Sequence, residues 1–220
     1  DILDLSKVEA GRLEVERVRC AVHQVVAEVL QVMNVKAEEK GVSLVLDLPA
    51  PLPATVLTDP SLLRQIITNL VGNALKFTGQ GGVTVRLHLM ADPQRPMVVI
   101  EVIDTGIGVA ADKLEAIFEP FVQAEASTTR HYGGTGLGLA ISRRFARALG
   151  GDITVSSVPG QGSTFRVTLE SGPLDGIEWL APEALQAAPT PQAHEHDGQW
   201  HFPARTVLVF QAAVPSDLAD

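Results

Sequence analysis

The stretch from residue 61 to residue 78 constrains the fold most, because its apolar and polar side chains separate cleanly at helical spacing. At about 100° per residue, one face collects the apolar side chains Leu63, Ile66, Ile67, Leu70, Val71, Ala74 and Phe77. The opposite face is a polar stripe of Gln65, Asn69, Gly72, Asn73 and Lys76. Asp59 and Pro60, just before this stretch, are typical of a helix N-cap and first helical position. The pattern predicts an amphipathic helix with its apolar face in the core.

The polar stripe has an unusual composition for a solvated helix face. Such a face is usually rich in Glu, Lys and Arg, whereas this one carries Asn69 and Asn73 one turn apart, followed by Lys76. Hard cations accept carboxamide oxygens as ligands, and an ammonium group supplies a point charge for phosphate. The stripe therefore indicates a metal ion carrying phosphate. From this helix alone, a face buried against polar backbone explains the same residues.

Two glycine clusters follow the predicted helix. Residues 98–104 form an apolar, β-branched run that ends in Asp104, and Gly106 and Gly108 come directly after it. Residues 133–139, Gly-Gly-Thr-Gly-Leu-Gly-Leu, open a helical pattern. Glycines let a backbone approach a ligand closely, and the N–H groups at a helix start bind anions. These clusters favour a ligand site. The alternative is that Asp104 only helps to form a turn.

Four motifs follow one another along the chain: residues 73–78 (Asn-Ala-Leu-Lys-Phe-Thr), 104–108 (Asp-Thr-Gly-Ile-Gly), 118–121 (Phe-Glu-Pro-Phe) and 133–139. Their order resembles the N, G1, F and G2 boxes of the ATP-binding catalytic domain of sensor histidine kinases. Four motifs in this order are far more specific than any one glycine pattern. The resemblance implies the Bergerat fold, an α/β (α+β) two-layer sandwich. In it a mixed, largely antiparallel sheet packs on about three helices, with a long ATP lid.

The resemblance also implies a role for each motif in binding ATP and Mg²⁺. Asp104 would accept a hydrogen bond from the exocyclic amine of adenine, and Asn73 would hold Mg²⁺. The implied catalytic residues are Asn73, Lys76 and Arg130. The implied nucleotide-binding residues are Asn69, Asn73, Lys76, Asp104, Gly106, Gly108, Arg130, Gly134, Thr135, Gly136, Leu137, Gly138 and Thr164. A plain solvated charge is the alternative role for Arg130.

Residues 109–132 correspond to the ATP lid of that family. They contain one short helical pattern at 111–117 and then a polar segment, and a loop of this length in a compact domain is usually functional or disordered. Phe118 and Phe121 would anchor the base of the lid to the body of the domain.

Two further elements are predicted near the beginning of the chain. Residues 12–18 alternate apolar and charged side chains as a half-buried strand does, and residues 22–40 have the apolar spacing of a helix. His23, in this helix, is expected on the surface.

Four regions are predicted along the chain. Residues 1–11 resemble the end of the second helix of a dimerisation and phosphoacceptor hairpin, and residues 12–170 form the ATP-binding catalytic domain. Residues 171–203 have the mixed composition of a linker. Residues 204–220 begin with a strand pattern like the first strand of a receiver domain. Because Gln211-Ala-Ala stands where a receiver carries an acidic pair, such a domain would be degenerate or truncated.

The histidines bear on the partners that the resemblance implies. None of the six histidines lies in a phosphoacceptor box, so the acceptor is expected on the upstream hairpin, outside this fragment. Expected partners are that hairpin, through which the intact protein would form a homodimer, and a response regulator or receiver domain downstream.

Composition excludes several other functions. The formal net charge is −9 with scattered basic residues, which argues against a nucleic-acid partner. The single cysteine, Cys20, excludes an internal disulfide and fits a reducing compartment. The chain has no apolar run of about 18 residues, so a cytoplasmic location is expected, with any membrane anchor elsewhere in the parent protein.

Three alternative functions compete with that of a kinase. ATPases of the same fold place a water-activating Glu one turn before the metal-binding Asn, where this chain has Asn69, so hydrolysis is disfavoured. A pseudokinase or nucleotide-sensing interaction module would keep the same motifs. Residues 106–111 also fit the dinucleotide pattern G-x-G-x-x-A, but no second apolar strand follows them as a βαβ unit requires.

Overall fold

The computed structural model describes residues 13–90, 95–122 and 135–182, and the backbone of two short strands at 194–196 and 199–201. The strands are β1 Val18–Cys20, β2 Ser43–Asp47, β3 Leu52–Pro53, β4 Val56–Thr58, β5 Gly82–Met90, β6 Met97–Asp104, β7 Asp152–Val158, β8 Gly162–Glu170, β9 Trp179–Leu180, β10 His194–His196 and β11 Gln199–His201. The α-helices of the described residues are α1 Val22–Lys40, α2 Pro60–Phe77 and α3 Gly138–Ala148.

Five strands form the central sheet in the order β2-β5-β6-β8-β7. Strands β2 and β5 are parallel, and the other neighbouring pairs are antiparallel. Alternate side chains of β6 and β8, including Val102 and Phe165, join the same buried cluster as the helices. The helices therefore cover one face of a mixed, largely antiparallel sheet, which confirms the predicted two-layer α/β sandwich.

Helix α2 is the central helix of the layer, since it contacts both α1 and α3 and also β5 and β6. Its start is fixed as predicted: Pro60 is the first helical residue, and the Asp59 carboxylate accepts hydrogen bonds from the N–H groups of Ser61 and Leu62 at 2.9 and 3.1 Å. Six of the seven residues predicted on the apolar face are buried, and each large side chain among them contributes roughly 1.5–3 kcal/mol, whereas Phe77 is only half-buried. This burial fixes which way the polar stripe of α2 faces.

The structure differs from the sequence predictions in three local features. The strand predicted at 12–18 lies at Val18–Cys20 instead, because that is where the backbone pairs with β4. The helical pattern at 111–117 forms two 3₁₀ turns, Ala111–Lys113 and Ala116–Phe118. His23 is buried rather than exposed, and this burial lowers the pKa of its imidazole.

Backbone pairing with the domain continues beyond residue 170, within the segment predicted as a linker. The Ser171 carbonyl accepts from the N–H of Leu57 at 2.8 Å, and β9 pairs with β3. Strands β10 and β11 pair with each other. Residues 1–12 and 202–220, which carry the predicted hairpin end and receiver strand, lie outside the described residues.

None of the helices in the described residues is both long enough and apolar enough to cross a membrane.

Candidate functional site

The polar stripe of α2 contacts α3 through Asn69, and Asn73 is hydrogen-bonded to Asn69. Asn69 Nδ2 donates to the Ser142 hydroxyl at 2.9 Å, and Asn73 Nδ2 donates to Asn69 Oδ1 at 3.4 Å. With Nδ2 used in this way, Oδ1 is the atom of Asn73 that could coordinate a cation. Lys76, one turn further along, lies 4.8 Å from the ring centroid of Phe77, and burial lowers the pKa of its ammonium.

Asp104 ends β6 and is a buried residue, only 6% exposed. Its Oδ1 accepts from the N–H of Gly106 at 2.8 Å. Burial raises the pKa of Asp104 above its ordinary value, although hydrogen bonds from Gly106 and from the backbone and hydroxyl of Ser163 act in the opposite direction. A buried acceptor of this kind can make a strong, directed contact with an N–H donor.

The turn after Asp104 touches the C-terminal end of α2. The N–H of Ile107 donates to the Phe77 carbonyl at 3.4 Å, and a Cβ on Gly106 would lie 2.6 Å from that same oxygen. Only glycine allows this approach between two backbones. The contact joins the helix that carries Asn73 to the strand that carries Asp104, so the two motifs meet at one end of the domain.

Gly108, predicted to bind the nucleotide, lies against protein backbone instead. Its φ is +71°, and a Cβ there would lie 2.3 Å from the Val158 carbonyl oxygen in the β7–β8 hairpin. The N–H of Val109 donates to the Ser157 hydroxyl at 2.8 Å. Gly108 thus allows the turn to pack on the neighbouring hairpin.

The second glycine cluster lies against the asparagines of α2. Gly138 is the first residue of α3, and a Cβ there would lie 2.3 Å from Asn69 Oδ1. Leu137 before it is buried, while Thr135 is exposed and its hydroxyl accepts from the N–H of Leu137 at 3.4 Å. The start of α3 therefore brings its N–H groups close to the polar stripe, where they could bind an anion.

Phe121, inside the segment predicted as the lid, contacts Gly136, just after that segment, through its backbone. The N–H of Phe121 donates to the Gly136 carbonyl at 2.9 Å, and Phe121 has a positive φ of 65°. The Phe118 ring packs edge-on against Phe165 with centroids 6.5 Å apart, as expected for an anchor. The expectation that the Phe121 ring is a second anchor is wrong, because that ring is 69% exposed and its backbone makes the contact.

The sheet register places Ser163, not Thr164, beside Asp104. Ser163 pairs with Asp104 and Thr164 pairs with Ile103, so the Thr164 side chain lies on the other face of the sheet. The structure therefore does not bring Thr164 to the group around Asp104. Strand alternation could have indicated this, since Ser163 shares the period of two with buried Phe165.

Arg130 and Gly134, two of the predicted site residues, lie outside the described residues. Five of the described ones form two groups, whereas Gly108 packs on the β7–β8 hairpin and Thr164 lies on the other face of the sheet. Asp104 and Gly106 lie at the end of β6, and Asn69, Asn73 and Gly138 lie between α2 and α3.

An open sheet with helices on one face and these two groups at its end defines the class of the protein, a histidine kinase-type ATPase domain. A family model described as "Histidine kinase-, DNA gyrase B-, and HSP90-like ATPase" matches residues 58–173. The chain belongs to that family, which confirms the resemblance found in its motifs.

Two curated relatives are sensor kinases of two-component signalling. The autoinducer 2 sensor kinase/phosphatase LuxQ of Vibrio cholerae is 39% identical over 193 residues, covering 87% of this chain and 22% of LuxQ. The signal transduction histidine-protein kinase BarA of Escherichia coli is 39% identical over 188 residues, covering 84% of this chain and 20% of BarA. This chain thus spans about a fifth of these relatives.

Solved structures of histidine kinases share the fold. The crystal structure of full-length ShkA in complex with AMPPNP matches with a TM-score of 0.67 and 34% identity, covering 87% of this chain and 37% of ShkA. The catalytic domain of histidine kinase ThkA matches with a TM-score of 0.60 at 23% identity, a likeness in fold alone.

Proposed function

We propose that this chain binds Mg-ATP and transfers its γ-phosphoryl group to a histidine on an upstream hairpin, as the catalytic domain of a two-component sensor kinase. The observation that carries the proposal is the buried Asp104 carboxylate, joined through the Gly106 turn to the end of α2. The name of LuxQ and the AMPPNP complex of ShkA support the same assignment.

Asp104 would recognise the adenine base. Its carboxylate would accept from the exocyclic amine, with the Ser163 hydroxyl beside it. Little water reaches the carboxylate of a buried residue, so a donor that fits there replaces the missing solvation. A purine without an amine at that position would leave the carboxylate unpaired and should bind weakly.

The polar stripe would hold the cation and the phosphates. Asn73 Oδ1 is a hard oxygen ligand of the kind Mg²⁺ prefers, and Lys76 supplies the nearby positive charge. The N–H groups at the start of α3, around Gly136 and Gly138, would bind phosphate oxygens. When bound, Mg²⁺ neutralises charge on the phosphates and orients them. Arg130 would join this group.

Transfer to histidine is favoured over hydrolysis by the chemistry of Asn69. Phosphoryl transfer depends mainly on positioning and charge stabilisation, so a domain whose acceptor is itself the nucleophile can act without a general base. The amide of Asn69 is bonded to Ser142 and Asn73 and cannot accept a proton from water as a carboxylate can. We therefore expect slow ATPase activity when no acceptor hairpin is present. In the intact protein, this hairpin would also form the homodimer, and a response regulator or receiver domain would take the phosphoryl group.

The base contact is tested by calorimetric titration of Asp104→Asn with Mg-ATP. A mispaired buried polar contact should weaken binding roughly 5- to 150-fold, or about 1–3 kcal/mol. Asp112→Asn, an exposed substitution of the same type, is the control and should bind as the unaltered protein does. Equal affinity of Asp104→Asn and the control would reject the adenine role.

The metal contact is tested with a separately supplied acceptor hairpin and labelled ATP. Asn73→Asp should impair Mg²⁺-dependent transfer, because it changes the charge and the donor set at the cation. Full transfer by this variant would remove Asn73 from the metal site.

A further inference from the structure

The ring of Phe118 is held from two sides. Phe165 of β8 meets it edge-on, with centroids 6.5 Å apart and planes at 75°. The guanidinium of Arg143, on α3, lies 4.6 Å from the ring centroid. A guanidinium at this distance over an aromatic face makes a favourable cation–π contact. Arg143 thus links α3 to the turn that leads into Phe121.

Arg143 is itself fixed by a carboxylate at the start of β7. Its Nε donates to Asp152 Oδ1 at 2.9 Å and its Nη2 to Oδ2 at 3.4 Å, which is the two-pronged geometry that suits a planar guanidinium. Its Nη1 is 3.8 Å from Glu115, and its side chain is only 21% exposed. Burial acts to raise the pKa of Asp152, but hydrogen bonds from Arg143, Arg147 and the Ile153 N–H outweigh it and lower that pKa. Asp152 is therefore ionised at neutral pH.

Arg147 provides an internal comparison one turn further along α3. It also contacts Asp152, at 3.2 and 3.3 Å, but its side chain is 57% exposed. Among the ring contacts of the described residues, Phe118 is contacted by Arg143 and not by Arg147. The two arginines share one carboxylate and differ in the aromatic contact.

The turn after Phe118 is coupled to the start of α3. The N–H of Phe121 bonds the Gly136 carbonyl, and a Cβ on Gly136 would lie 3.0 Å from the Phe121 backbone. Gly138, two residues on, lies against Asn69. A shift of Phe118 would therefore move the backbone N–H groups that face the polar stripe, whereas Asp104 and Gly106 are held by separate contacts with Ser163 and Phe77.

We propose that Arg143 is a positioning residue for the phosphate end of the nucleotide site: fixed by Asp152, it holds Phe118 and hence the turn at residues 118–122 against the start of α3. This inference rests on the function proposed above. Through this turn, Arg143 affects binding of the triphosphate and its cation, and it does not affect recognition of the base.

The test compares Arg143→Ala, Arg143→Lys and Arg147→Ala in titrations with Mg-ATP and with adenosine. Binding of Mg-ATP is followed by calorimetry, and binding of adenosine by the amide resonance of Gly106. Arg143→Ala should weaken Mg-ATP roughly tenfold, the order of effect of a partly desolvated cation–π contact, and leave adenosine affinity within about twofold. The Mg-ATP affinity of Arg143→Lys should lie between those of Arg143→Ala and the unaltered protein, because an ammonium keeps the charge but not the planar guanidinium geometry. Arg147→Ala should match the unaltered protein with both ligands.

A double-mutant cycle measures the coupling between Arg143 and Phe118 directly. Phe118→Leu keeps an apolar side chain but removes the ring, so it should weaken Mg-ATP as Arg143→Ala does, and combining the two should add little. Equal Mg-ATP affinity of Arg143→Ala and Arg147→Ala would overturn the inference. It would also be overturned if Arg143→Ala lowered adenosine affinity as much as Mg-ATP affinity, or if the losses of Mg-ATP affinity in Arg143→Ala and Phe118→Leu added fully in the double variant. A chain that bound neither adenosine nor Mg-ATP before any substitution would contradict the proposed function instead.

Discussion

The two glycine turns of the site look alike in sequence and are built differently. At the end of the site proposed to bind the base, around Asp104 and Gly106 and called the base end below, Gly106 approaches the Phe77 carbonyl. A Cβ on Gly162 would lie 1.9 Å from the Asp104 carbonyl oxygen, so backbone packs on backbone. At the phosphate end, Gly138 approaches the Asn69 side chain, and that side chain depends on Ser142 for its hydrogen bond. The base end is thus fixed by the sheet and helix frame, and the phosphate end by side chains from several elements.

This difference indicates how the two ends respond to change. Backbone that contacts a glycine cannot move without moving its strand or helix, because protein interiors are close-packed. A side-chain carboxamide such as that of Asn69 can rotate away at the loss of one hydrogen bond, worth about 1 kcal/mol. Glycine substitutions at the base end should therefore mainly lower stability, and those at the phosphate end should mainly lower ligand affinity.

The largest expected effect is that of Gly106→Ala. Its Cβ would have to lie 2.6 Å from the Phe77 carbonyl oxygen and 2.8 Å from Asp104 Oδ1, so helix or strand must shift. Overpacking of this kind costs about 1–3 kcal/mol in unfolding free energy, measured by urea denaturation. Gly79→Ala is the control, because a Cβ there meets nothing within 4 Å. Equal unfolding free energies of the two variants would show that the base end accommodates the added Cβ as easily as a mobile side chain would.

Lys40→Ala should have the next largest effect, and it tests the support behind the base end. The ammonium of Lys40 donates to the carbonyls of Leu75, Lys76 and Thr78, the last two at 3.2 and 2.9 Å, at the C-terminus of α2. Removing a cation from these acceptors should lower the unfolding free energy by about 1–2 kcal/mol.

Adenosine affinity should fall together with stability in Lys40→Ala, since the neighbouring Phe77 carbonyl holds the Ile107 turn. Lys36→Ala, an exposed lysine on the same helix, is the matched control. If Lys40→Ala lost stability with no change in adenosine binding, the C-terminus of α2 would not position the base end.

The sequence predicted the parts of this site that depend on local pattern. The helix carrying Asn73, its Asp59 cap and the strand ending in Asp104 follow from periodicity and turn chemistry, which act within a few residues. The choice between Ser163 and Thr164 depends on strand register, where one residue reverses the face. Lys40 donates to carbonyls more than 30 residues along the chain, and Arg143 contacts the ring of Phe118 on a separate turn, so no local pattern marks either residue.

Gly138→Ala should change stability less than Gly106→Ala and affect the ligand more. Its Cβ meets Asn69 Oδ1 at 2.3 Å, which rotation of that side chain relieves at the loss of the Ser142 bond. Alanine also favours the helix by up to about 1 kcal/mol over glycine, so the net change in unfolding free energy should be within about 1 kcal/mol. Mg-ATP affinity should fall, because displaced Asn69 no longer accepts from Asn73. Undiminished affinity would mean that Asn69 does not orient Asn73.

The smallest expected effect is a change in the pH dependence of stability in Asp104→Asn without nucleotide. Because burial raises the pKa of Asp104 in the folded state, the folded protein binds more protons than the unfolded chain between the ordinary and the raised value. Stability therefore falls as pH rises through that window, and Asn, which does not titrate, should remove the fall. The gain in melting temperature of Asp104→Asn should thus grow from acid to neutral pH, with exposed Asp112→Asn as control. Parallel pH curves for both variants would mean that the carboxylate is kept at the base end without any penalty to stability.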